Sequence, residues 1–318
     1  MRLLAVHAHP DDETLSNGAL LAAWSRAGRP VTLVTCTRGE RGEVIGAPLA
    51  HLEGDGPALA AHREQEIAAA LAVLGVQEHH FLDALAPGGG SRYEDSGMAW
   101  VGAVAGTAGL PDDVPPGALV SVPLDTAAAH LAELVVEQRP AVVVTYDAGG
   151  GYGHPDHVRA HEITVRALEI AAPRLAETGA DAPLLLCPTV PTEALRAQRR
   201  ALAGETWARD LAAAAGLVAP DPDADLPAVA SDDRDVVLEV DVRPVLGAVT
   251  RALRAHGTQV QAVTPAPDGA TVLGAYALSN DVLAAIPSTE GYALLAGDRS
   301  ALGRVLAGAA VPGVRAVA

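Results

Sequence analysis

The sequence predicts an α/β protein of Rossmann-like plan, with a mainly parallel sheet covered by helices on both faces and a smaller α/β region towards the C-terminus. Three observations predict it. Short apolar, β-branched runs alternate with helical patterns from the first residues onward. The clearest buried-strand pattern, Pro140 to Asp147, opens directly into a glycine-rich loop. The 318 residues, 49% hydrophobic and 19% charged, suffice for a substantial core.

Leu3 to Ala8 reads as a strand, followed by a helix from Gly18 to Ala27 that presents Leu20, Leu21 and Trp24 on one face. Gly28-Arg29-Pro30 ends that helix, and Val31 to Thr37 is the next strand. Arg63 to Leu74 is helical and stops at Gly75. Between Asp83 and Pro123 the chain is rich in Gly and Pro without periodicity, which predicts a lid-like loop. Asp125 to Gln138 and His157 to Ala171 are helical. Asp181 to Asp233 is irregular, with an acidic loop at Asp221 to Asp225. Strands then follow at Val236 to Val242, Thr271 to Leu278 and Tyr292 to Ala296, with a helix from Pro244 to His256. This pattern divides the chain into a first α/β region, 1–172, and a smaller C-terminal α/β region, 173–318.

The formal charge of −17, from 39 acidic and 22 basic residues, disfavours nucleic acid and anionic lipid as partners. Every basic residue counted is Arg. Cys36 and Cys187 lack metal or redox spacing, which fits a cytoplasmic setting. His7 and His9 interrupt the first apolar run too early for a signal peptide, and the longest apolar runs reach about half of the ~20 residues a membrane span needs.

Chemistry concentrates in His9-Pro10-Asp11-Asp12 and His154-Pro155-Asp156-His157, each just after a predicted strand. Ligands of open α/β sheets bind beyond the carboxyl ends of the strands, so the two segments should meet. Two histidines and a carboxylate suit a catalytic metal with one position left for water; zinc or ferrous iron fits such a set. The competing role for Pro10 and Asp11 is a turn that caps the following helix. His7 shares the face of His9 and reads as a core histidine.

With Glu13 appended, the first motif and its His154-Pro155-Asp156-His157 counterpart resemble the LmbE/PIG-L family of zinc-dependent N-acetylglucosaminyl deacetylases. Thr35-Cys36-Thr37-Arg38-Gly39-Glu40, Gly42-Glu43-Val44-Ile45-Gly46 and Gly151-Tyr152-Gly153-His154 are closest to the branch in the mycothiol pathway, whose substrate is N-acetylglucosaminyl-inositol. The likeness is strong over the first ~170 residues and weaker at His256 to Val260 and Glu290-Gly291-Tyr292. It implies a Zn2+ site of His9, Asp12 and His157, with Asp11 as the base that activates water. It further implies Tyr152 and an imidazolium at His154 around the developing oxyanion, with Asp11 or His154 returning the proton to the amine. Asp156 is expected to orient His154, a turn role being the alternative. Arg63, Asp95 and Glu43 are the implied sugar-binding residues. A solvated ion pair competes at Arg63, next to Glu64, and a turn competes at Asp95. His256, at a helix end, is expected to act as a C-terminal cation and stands outside the catalytic set. Two further functions compete with the deacetylase: an amidase of mycothiol S-conjugates on the same scaffold, and a Rossmann-like binding module without turnover. Ser16-Asn17-Gly18 and Gly153 favour the deacetylase, and the missing GxGxxG after the first strand weighs against the module.

Overall fold

The computed structural model describes residues 1–100, 108–226, 230–231 and 236–317. The first half builds the elements β1 (Leu3–His7), α1 (Asp12–Arg26), β2 (Val31–Thr35), α2 (Gly56–Leu74), β3 (Glu78–Phe81), β4 (Ala99–Trp100), β5 (Ala108–Gly109), α3 (Leu124–Gln138), β6 (Val142–Val144), α4 (Gly150–Gly153) and α5 (Pro155–Glu177). The second half adds β7 (Leu184–Pro191), α6 (Thr192–Gly204), α7 (Thr206–Ala215), β8 (Ala230–Ser231), β9 (Val236–Asp241), α8 (Leu246–Ala255), β10 (Gln261–Pro265), β11 (Gly274–Ala277), β12 (Leu283–Ile286), β13 (Thr289–Ala296), α9 (Arg299–Ala309) and β14 (Val314–Ala316).

The main sheet runs β14-β9-β13-β7-β6-β1-β2-β3, with β8 paired to β7. Its β7-to-β3 half is parallel, while β13, β9 and β14 continue it in antiparallel fashion. Strand alternation loads both faces. Leu3 and Ala5 of β1 join the core under α1, α2 and α8, whereas Leu4 and Val6 join the core under α3 and α5. Truncating a fully buried residue such as Leu4 to Ala would cost about 2–5 kcal/mol. A third, smaller core forms between α6, α7 and the antiparallel β10-β11-β12 sheet.

Local signals fix the helix ends. Asp55 caps α2 by accepting from Ala58 N at 3.1 Å, and Gly75 ends it at φ 81°. Several elements differ from the sequence expectation. The first helix begins at Asp12 rather than Gly18, so Asp11 and Asp12 of the HPDD motif supply its N-cap and first residue. The stretch 181–233 is not irregular, since it holds β7, α6 and α7; the helices were hidden because they cover only a small core with polar, Arg-rich outer faces. Residues 227–229 and 232–233 of that stretch lie outside the described residues, as do 101–107 of the predicted lid. The rest of the lid holds only 3-10 turns and the short β4-β5 pair.

The sheet continues past residue 172. Strands β7, β13, β9 and β14 belong to it, and Glu290 on β13 reaches into the first helix, accepting from Ala19 N at 2.7 Å and Leu20 N at 3.0 Å. Burial pushes the Glu290 carboxyl up to about 7. Among the described residues no helix is long and apolar enough to cross a membrane.

Candidate metal centre

The chain leaves β1 towards β2 and β3, then returns to β6 on the other side of β1. The carboxyl ends of β1 and β6 therefore flank the switch point of the sheet, the place where open α/β sheets bind their ligands. His9 to Asp12 leave the end of β1, and residues 145–157 leave the end of β6. The two motifs meet there. Asp12 stands between two imidazoles, with Oδ2 3.3 Å from His9 Nδ1 and Oδ1 3.3 Å from His157 Nε2. Burial opposes its charge, but His157 and His9 outweigh it and hold the carboxyl well below its usual range.

Hydrogen bonds to fixed partners set the histidine tautomers. The Gly150 carbonyl can only accept, so His157 donates from Nδ1 at 3.2 Å, and Nε2 is left buried without a hydrogen bond despite its approach to Asp12. On His9, Nε2 faces Asp156 Oδ2 at 3.2 Å and Asp95 Oδ1 at 3.7 Å, which turns Nδ1 towards Asp12. Burial disfavours a charge on His9, yet Asp95, Asp12 and Asp156 outweigh it and raise its pKa well above the ordinary value. His154 accepts at Nδ1 from Asp156 N at 3.1 Å, so its proton sits on Nε2. Burial, with His9 and His157 nearby, lowers its pKa to about 2. In the metal-free site the His154 ring is therefore neutral, with Nδ1 accepting, where the resemblance implies an imidazolium during the reaction.

The expected role of Asp156 also changes. Its backbone orients His154, but its carboxylate serves His9 and accepts from the amide and hydroxyl of Ser96. Asp95 makes a turn and lies in the site at once: Oδ1 accepts from Gly97 N at 2.8 Å and stands near His9. Burial would raise its pKa, but His9 and the Gly97 amide win and lower it.

Asp11 has a backbone φ of 119°, a region that L-residues rarely occupy. The surroundings enforce it. Its amide donates to Glu13 Oε2 at 3.0 Å, its carbonyl accepts from Thr14 N and Leu15 N, and Oδ1 lies 3.2 Å from Arg63 Nη2. Burial raises the Asp11 carboxyl to about 6 against the opposing pull of Arg63. Arg63 is buried rather than solvated, with Nη1 on the Gly39 carbonyl at 2.9 Å and Nη2 also on the Pro10 carbonyl. Gly39 is required there, since a Cβ would stand 2.1 Å from Nη1. Gly150 is required for a related reason: its Cβ would meet Val158 N at 2.8 Å, blocking the approach that brings its carbonyl to His157.

Tyr152 completes the wall, its ring 5.1 Å from His157 and 6.0 Å from His154. Burial keeps its hydroxyl protonated far above pH 7. Glu43 instead lines a cavity of about 510 Å3 with Val44, Gly46, Glu53, Gln261 and Asp281. Sequence reasoning missed Tyr146 and Ser96. Tyr146 stacks on His157 at 4.1 Å and accepts from Ala8 N at 3.0 Å, a role its position at the end of the buried β6 pattern could have suggested. Ser96 offered no signal beyond its neighbour Asp95. His7 is a core histidine bonded to Asn17 at 2.6 Å, and burial lowers its pKa to about 4.

Two sets of ligand atoms cluster within 4.8 Å: His9, His154 and His157, and His9, Asp95 and Asp156. An unpaired, buried Nε2 on His157 beside an ionised Asp12 is the donor chemistry of a divalent-cation site.

Residues 4–168 match the family described as PIG-L, GlcNAc-PI de-N-acetylase. The chain is 43% identical over 299 residues to the 1D-myo-inositol 2-acetamido-2-deoxy-alpha-D-glucopyranoside deacetylase of Streptomyces griseus, covering 93% of this chain and 84% of that protein. It is 44% identical over 298 residues to the protein of the same name from Kineococcus radiotolerans, covering 93% and 78%. Among solved structures, the N,N'-diacetylchitobiose deacetylase of Pyrococcus horikoshii overlays with a TM-score of 0.48 at 16% identity, over 84% of this chain and 71% of that one. With its family match spanning both motifs and its relatives aligning over nearly the whole sequence, the chain belongs to the PIG-L family of GlcNAc-type de-N-acetylases.

Proposed function

We propose that this protein is a zinc-dependent deacetylase that hydrolyses the acetamide of 1D-myo-inositol 2-acetamido-2-deoxy-alpha-D-glucopyranoside to the free amine and acetate, a step of mycothiol biosynthesis. One observation carries it: the paired carboxylates diverge in role, with Asp12 between two histidines and Asp11 held apart on Arg63. The substrate follows the names of relatives that align over 93% of the chain.

We assign the ion to His9 Nδ1, Asp12 and His157 Nε2. This is the set that the family resemblance implies, and Asp12 supports it by lying 3.3 Å from both His9 Nδ1 and His157 Nε2. When bound, zinc lowers the pKa of a water and polarises the acetyl carbonyl. Asp11, titrating near 6, is ionised at neutral pH and takes a proton from the attacking water. The Tyr152 hydroxyl and the Nε2–H of neutral His154 donate to the charge growing on the acetyl oxygen. Asp11 then returns its proton to the departing amine as the C–N bond breaks, His154 being the other group placed beside the site to supply it. Asp95 and Glu43 are assigned to sugar and inositol hydroxyls, and Arg63 anchors Asp11 from the substrate's edge.

Purified protein supplied with zinc should release acetate from the glycoside and leave a mycothiol S-conjugate largely uncleaved. The reverse preference would make it the amidase, and turnover of neither would favour a binding module.

A further inference from the structure

The C-terminal region reaches the catalytic loop through one buried histidine. His256 caps the end of α8 with its ring fully buried, and Nε2 meets Glu13 Oε1 at 2.8 Å. The other oxygen of that carboxylate accepts the Asp11 amide at 3.0 Å. Glu13 Oε1 also accepts from the Thr14 hydroxyl at 2.5 Å, so Glu13 is gripped from one side by His256 and Thr14 while it holds the strained peptide of Asp11 from the other. The histidine is itself held firmly. Its carbonyl accepts from Gln259 N and Val260 N, and Thr258 donates from its amide and hydroxyl to Glu66 on α2 at 2.7 and 2.6 Å.

A φ of 119° at Asp11 persists only where neighbours impose it. Arg63 restrains the side chain of Asp11, and Glu13 restrains its amide. An unclamped Glu13 could turn away from that amide, letting the peptide relax and carrying the carboxylate out of line with the water it must deprotonate. We propose that His256 is a positioning residue for the hydrolysis, fixing the catalytic orientation of Asp11 through Glu13. This rests on the role proposed above for Asp11.

The test uses the full-length zinc-loaded protein and acetate release from the glycoside. His256→Leu keeps bulk but removes the donor; kcat should fall about 10- to 100-fold with KM within about twofold and zinc stoichiometry unchanged. His256→Gln, which restores an amide donor, should recover most of the loss. In an Asp11→Asn background, His256→Leu should cost nothing further. Wild-type kcat in His256→Leu, or a full additional loss in the Asp11→Asn background, would overturn the proposal. Should His256→Leu fail to fold, Glu13→Gln replaces it, with the same expected fall in kcat and the same absence of effect beside Asp11→Asn. Absence of acetate release by the wild-type protein would instead sink the deacetylase reading, and this role with it.

Discussion

Arg63 Nη2 lies 3.2 Å from Asp11 Oδ1 while the same nitrogen holds the carbonyl of Pro10, so one guanidinium fixes both the side chain and the approach of the strained residue. Its charge also opposes the burial that lifts the Asp11 carboxyl to about 6. Removing that charge in Arg63→Met should raise the Asp11 pKa further. The acidic limb of kcat/KM, which reports the ionised base, should therefore move to higher pH. Freed carbonyls at Gly39 and Pro10 should cost about 1–3 kcal/mol in denaturant unfolding. A limb that stays in place or moves to lower pH would remove Arg63 from the control of the base.

Asp11→Asn preserves shape and leaves the metal-facing groups in place. Turnover should drop about 10²–10⁴-fold with zinc content and melting temperature close to wild type. Near-normal turnover would show that another group takes the proton.

Metal binding should compete with protons. The metal-free protein favours a charged His9, because Asp95, Asp12 and Asp156 outweigh its burial, and a ligand nitrogen must shed its proton. Apparent zinc affinity should thus rise with pH, by about tenfold per unit over the range in which His9 is protonated. A chelator-competition titration between pH 5.5 and about 8 measures the slope; a flat profile would exclude His9 as a ligand.

Ser96 ties the 83–123 segment to the ligand shell by donating its amide and hydroxyl to Asp156, which in turn accepts from His9. Ser96→Ala should weaken zinc binding by about 10- to 100-fold while the fold persists. Unchanged affinity would mean that Asp156 holds His9 without help from this segment.

Why some of this was legible in the sequence and some was not follows from the range of the contacts. β1 and β6 announce themselves as apolar runs, and each ends in a histidine-rich motif, so their meeting at the switch point follows from the α/β alternation alone. The helices α6 and α7 did not announce themselves, because they bury few residues. At the site, residue types identified the ligand candidates, but hydrogen bonds across the fold decide their states. The Asp156 amide sets the tautomer of His154, and the Asp156 carboxylate turns to His9 rather than to its sequence neighbour. The sequence leaves Arg63 between a sugar contact and a solvated ion pair beside Glu64; only the passage opened by Gly39 shows why it goes inward.

The continuation of one sheet through β7, β13, β9 and β14 limits how this chain can be cut. A fragment ending at residue 172 would strip β7 from β6, baring the backbone of Val142–Val144 along an apolar edge. Such an edge pairs readily with other chains. It would also lose the Glu290 carboxylate from the flank of the first helix. The isolated half carrying both histidine motifs should therefore aggregate rather than hydrolyse, which makes the C-terminal strands part of the solubility of the catalytic half.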